Sequence, residues 1–75
     1  MKILFFASIA EFTGCESFLV QHVSDTESLK LILTEKFPGL EKLSFSIAVN
    51  KTMVHSKTNL DESDEVALLP PFSGG

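Results

Sequence analysis

The chain has 75 residues and a net charge of −4, from ten acidic side chains against six lysines and no arginine. That balance argues against a nucleic-acid binder, which grips phosphates with clustered Arg and Lys, and no apolar run approaches the roughly twenty residues of a membrane span. The single Cys15 excludes an internal disulfide and no Cys/His set has zinc spacing, so one small domain over residues 1–75 is expected, burying only about 60% of its extended surface.

In chain order, KILFFAS (2–8) is an apolar run bounded by charge. It predicts a central strand rather than the core of a signal peptide, and a cytoplasmic setting. Residues 9–15 predict a turn around Thr13-Gly14, after which SFLVQHV (17–23) has the β-branched and aromatic content of a second strand, paired with the first as a hairpin. In SDTESLKLILTEKFPGL, Ser24 with Glu27 fits a capping box, and Asp25 is the alternative cap. Leu29, Ile32, Leu33 and Phe37 form one apolar stripe, which Pro38-Gly39 ends; a short turn is expected over 40–43. FSIAVN (45–50) and TMVH (52–55) predict two strands across a turn at Asn50-Lys51, where Asn tolerates left-handed backbone angles. A polar loop follows, with Leu60 plugging one end of the core, and EVALL (65–69) is the last strand. This order predicts an α+β, β-grasp (ubiquitin-like) fold: a mixed sheet of four to five strands with one main helix on one face.

Strand alternation sends Ile3, Phe5 and Ala7 to one side of the first strand and Leu4 and Phe6 to the other. In the last strand Val66 and Leu68 oppose Ala67 and Leu69. One helix covers one face, so Leu4, Phe6, Ala67 and Leu69 are left uncovered, as a partner site with acidic flanks or under loops.

The chain is poorly equipped for catalysis. Cys15 lies in a turn beside Glu16 rather than a cation, His22 and His55 have no third ligand, and DESDE (61–65) lacks the Gly and terminal bidentate Glu of a calcium loop. No bound cofactor or metal is expected. What remains is LLPPFSGG. Pro70 and Pro71 lack backbone donors and stiffen the exit from the strand, making residues 70–75 a tail with a reach of roughly 20 Å. Gly74 and Gly75 pass through a slot that would reject any side chain. The α-carboxylate of Gly75 is the reactive group here; ionised, it is a poor electrophile and must be activated by another enzyme, for example as an acyl-adenylate.

LFFA (4–7), VNKTMV (49–54) and above all DEVALLPPFSGG (64–75) resemble the small-subunit family of molybdopterin synthase, the MoaD family of sulfur carriers, across essentially the whole chain. The resemblance implies a ubiquitin-like fold and a role in molybdenum cofactor biosynthesis. An ATP-dependent adenylyltransferase would activate Gly75, sulfur would convert it to a thiocarboxylate, and the tail would enter the large synthase subunit to supply sulfur to cyclic pyranopterin monophosphate. The implied complex is a heterotetramer of two large and two small subunits. By position, Gly75 carries the sulfur, Gly74 permits insertion, Phe72 anchors the tail behind Pro70 and Pro71, and Leu4, Phe6, Ala67 and Leu69 form the docking face. ATP belongs to the activating enzyme. The sequence departs from the family at AEFTG (10–14), where members often carry a basic residue. Two alternatives share the diglycine end: a sulfur carrier for another pathway such as thiazole synthesis, and a ubiquitin-like protein modifier.

Overall fold

The computed structural model describes residues 1–71. Phe72, Gly74 and Gly75, on which the tail expectations fall, lie outside them. The element order is β1 (Lys2–Phe5), α1 (Ala7–Thr13), β2 (Ser17–Leu19), α2 (Thr26–Lys36), a 3₁₀ turn (Leu40–Lys42), β3 (Ser46–Val49), β4 (Thr52–Val54) and β5 (Val66–Leu69). The sheet runs β2-β1-β5-β3-β4. Its central pair, β1 and β5, is parallel; the other pairs are antiparallel. This mixed five-stranded sheet with one main helix is the expected β-grasp arrangement.

One face of the sheet carries the core. Ile3 and Phe5 of β1, Val66 and Leu68 of β5, and Ile47 of β3 are buried together with Leu29 and Leu33 of α2. Phe37, just past the end of α2, packs edge-on against both Phe5 and Phe18, with centroids 5.7 and 5.2 Å apart. Leu40 and Leu60 are buried at the margins, Leu60 as expected.

The N-terminus of α2 is built by Asp25. Its Oδ1 accepts the Ser28 N–H at 2.8 Å, so Asp25 rather than Ser24 is the cap, and Glu27 pairs with Lys30 instead of reaching back. The Ser28 N–H is also the main reason that the Asp25 carboxyl is held below its ordinary pKa. The next residue, Thr26, is buried and exchanges hydrogen bonds with Thr58: the Thr26 N–H donates to the Thr58 carbonyl at 2.9 Å and the Thr58 N–H to Thr26 Oγ1 at 3.0 Å.

Residues 7–13 correct the sequence reading. They form a helix, not the end of a strand followed by a turn. Phe6 is extended, Ala7 takes φ 50°, and the chain enters α1 directly. One left-handed residue therefore makes the switch, and Ala7 does not join Ile3 and Phe5 in the sheet. Ile9 is the buried anchor of α1, and Gly14, at φ 79°, ends it. β2 is also shorter than expected: the chain leaves the sheet before His22, which has φ 61°.

Candidate functional site

Among the described residues no helix covers the second sheet face. The strand registers line up Ser17, Leu4, Ala67, Ala48 and Met53 side by side across all five strands. Two alanines meet in the middle of this row, with larger apolar side chains on either side. The result is a shallow dish of about 290 Å³ floored by Ala48 and Ala67 and walled by Leu4, Phe6, Met53 and Leu69. Phe6 is 44% exposed, unusual for a phenylalanine next to a central strand. Its N–H donates to the Leu68 carbonyl at 3.2 Å, which carries the β1–β5 ladder one residue beyond Phe5 and sets the ring beside the end of β5.

Four residues picked from alternation alone, Leu4, Phe6, Ala67 and Leu69, thus line one concavity. Ala48 and Met53 were missed. The signal for them lay in the two-residue turn at Asn50-Lys51, both at positive φ, because such a turn fixes the β3–β4 register and sets Ala48 opposite Met53. The rim differs from expectation: Lys51 and Glu65 border one side of the dish, and Lys2 and Glu16 the neighbouring hollow. Both signs are present, so the acidic flank expected from composition is not what frames this face.

Asn50 does more than tolerate its turn. Its Oδ1 accepts the Glu65 N–H at 2.9 Å, its Nδ2 donates to Asp64 at 2.8 Å, and its own N–H donates to the Glu65 carbonyl at 2.7 Å. These bonds lock the start of β5 to the β3–β4 turn. Upstream, the Ser63 hydroxyl at 2.6 Å and the Ser63 N–H at 3.3 Å donate to Asp61 and hold its carboxyl below the usual range. The 61–65 stretch is a self-bonded turn that feeds β5.

At its other end β5 stops where Leu69 pairs with Ser46. Pro70 is half-buried and Pro71 exposed, and neither has an N–H to continue a ladder. Pro70 and Pro71 thus continue from a central strand, beside Phe6 and Leu69. Cys15 is half-buried, its Sγ 3.8 Å from Thr13 Oγ1. Among the described residues no three His, Cys, Asp or Glu side chains gather as a metal site, and no helix is long and apolar enough to cross a membrane. The arrangement is an apolar dish continuous with the end of β5.

Comparison with known proteins bears on this arrangement. The model of the ThiS family matches residues 3–75. The molybdopterin synthase sulfur carrier subunit of Escherichia coli (strain K12) is 34% identical over 80 residues, spanning 100% of this chain and 99% of that protein. Its counterpart of the same name from Arabidopsis thaliana is 32% identical over 79 residues, spanning 100% and 82%. Among solved structures, a chain in the complex of subunits 1 and 2 of molybdopterin-converting factor from Helicobacter pylori 26695 superposes with TM-score 0.74 at 34% identity, covering 99% of this chain and 96% of that one. Small archaeal modifier protein 1 from Methanosarcina acetivorans superposes with TM-score 0.81 at 26% identity, covering 99% and 94%.

Proposed function

The chain belongs to the ThiS family, and on that premise we propose that it is the sulfur carrier subunit of a molybdopterin synthase. The observation that carries this reading is the continuity of the apolar dish with the tail root: Phe6 and Leu69 wall the dish, and the tail starts one residue after Leu69. A partner seated on the dish receives the tail in a defined direction. Docking on the face therefore orients the one group the chain delivers, which is how a non-catalytic subunit contributes to rate.

In this reading the Gly75 carboxylate attacks the α-phosphate of ATP on an adenylyltransferase, pyrophosphate leaves, and an acyl-adenylate forms. A sulfur nucleophile then displaces AMP to give the thiocarboxylate. The tail, with Phe72 as anchor and Gly74 slim enough to pass, enters the large synthase subunit and transfers sulfur to cyclic pyranopterin monophosphate. The large subunit supplies acid, base and substrate site in a cytoplasmic heterotetramer of two large and two small subunits; this chain binds no cofactor of its own.

Intact mass spectrometry tests the reading. Incubation with ATP, the activating enzyme and a sulfur donor is expected to add about 16 Da, oxygen replaced by sulfur, and deletion of Gly75 to abolish the gain. No gain under conditions that convert an authentic carrier rules the reading out. A second reading, attachment of the activated tail to lysines of other proteins, draws on the likeness to small archaeal modifier protein 1. It predicts covalent adducts of this chain in cell extracts, where the first reading predicts thiocarboxylate and none.

A further inference from the structure

The dish has two unlike ends. Along β5 the residues that line it are Glu65, Ala67 and Leu69, so a charge stands before the strand, floor in its middle and an apolar wall at its end. Glu65 precedes β5 and Pro70 follows it, which sets the charged end roughly 16 Å from the root of the tail. The charged residues lining the dish are Lys51 and Glu65, and both are exposed.

Apolar contact alone cannot choose a direction on this face. Burial of apolar surface is non-directional, and a shallow floor of two alanines offers no deep pocket to fix a partner's rotation. An off-centre pair of opposite charges does fix it, because a partner turned end for end leaves both charges without their complements.

One side chain holds this pair in place. Asn50 stands opposite Glu65, one position past the Val49–Val66 pairing. Its N–H donates to the Glu65 carbonyl at 2.7 Å, and the Glu65 N–H donates back at 2.9 Å to the side-chain Oδ1 of Asn50 rather than to its carbonyl. Asn50 Nδ2 donates to Asp64 at 2.8 Å. At φ 51°, Asn50 also opens the turn that carries Lys51 at φ 69°. Gly would accept that angle but has no oxygen for Glu65, and Asp would set a second carboxylate against Asp64.

We propose that Lys51 and Glu65 determine the orientation in which the partner seats on the dish, with Asn50 as the positioning residue for both. The partner carries a carboxylate opposite Lys51 and a cation opposite Glu65. This rests on the proposed function and deepens it: the charged end is the fixed point from which the partner extends along β5 to the tail root.

Calorimetry of the full chain with the large synthase subunit, at about 50 mM and about 500 mM salt, tests this. Lys51→Glu and Glu65→Lys should each weaken docking by about fivefold in low salt and little in high salt, with unfolding midpoints hardly moved. The swap, Lys51→Glu with Glu65→Lys, keeps the net charge but reverses its order, and should weaken docking by about twentyfold in low salt. Asn50→Gly should lose about threefold in low salt and little in high salt, whereas a merely structural role would lose the same at both. Docking of the swap at wild-type strength, or an Asn50→Gly loss that is equal at the two salts, overturns the proposal. If the wild-type chain itself neither docks nor gains sulfur, the function reading falls and this inference with it. If it does both while the swap docks equally well, this inference alone falls.

Discussion

Ala7, Gly14 and Gly39 show how single backbone angles shape this fold, with opposite expectations for substitution. All three have positive φ, at 50°, 79° and 99°. For a residue with a Cβ that conformation costs about 1–2 kcal/mol. Ala7→Gly removes the penalty where β1 becomes α1 and should raise the urea unfolding free energy by about 0.5–1 kcal/mol, the remainder being offset by the freer unfolded chain. Gly14→Ala and Gly39→Ala should each lower it by about 1–2 kcal/mol. Gly39→Ala has an additional signature, because the new methyl would lie 3.0 Å from Phe12 Cζ while the one at Gly14 meets nothing within 4 Å. Phe12 is half-exposed and can swing aside, so its ring resonances should move only in the Gly39 variant.

At the scale of elements, the entry to α2 makes stability depend on acid in a definite direction. The Ser28 N–H favours the Asp25 carboxylate and lowers its pKa in the folded state only. The contribution is therefore complete above the ordinary Asp pKa of about 4 and is lost as pH falls through the lower folded value. Asp61, held by Ser63, acts in the same sense. Asp25→Asn keeps a capping oxygen that cannot titrate, so it should flatten part of the loss in midpoint between neutral pH and about pH 3 while leaving the neutral midpoint little changed. Thr26→Val should cost about 1–2 kcal/mol in urea unfolding, because the Thr58 N–H loses its acceptor. The sequence made α2 legible through its stripe and stop signal. It concealed α1, because seven residues with one buried anchor, Ile9, give no period to read, and no side-chain cap marks a start at Phe6. Four residues of the dish were legible because alternation is local; Ala48 and Met53 required a register, which is a relation between strands.

For the molecule as a whole, the proposed function predicts that Leu68 and Leu69 separate stability from docking within two adjacent positions. Leu68 is fully buried under α2, and Leu69 is half-buried on the open face. Leu68→Ala should cost about 2–5 kcal/mol in denaturant unfolding, against a total of roughly 4–11 kcal/mol for a domain of this length. Leu69→Ala should leave the thermal midpoint nearly unchanged and weaken binding to the large synthase subunit by about tenfold, measured by calorimetry. Equal loss of stability in both variants would mean that the second face is packed as core.

The parallel pairing of β1 with β5 ties the order of synthesis to the quality of the product. Ile3 leaves the ribosome 63 residues (66 − 3) ahead of its partner Val66. Until β5 arrives, β1–β2 and β3–β4 are two unjoined pairs, because β5 is the strand between them. Contacts of such sequence separation form late. A chain broken off before residue 66 cannot close its sheet and is left to proteolysis as an open form. Folding thus acts as an inspection step: only a molecule that already holds the strand leading into the tail can present a finished surface to a partner.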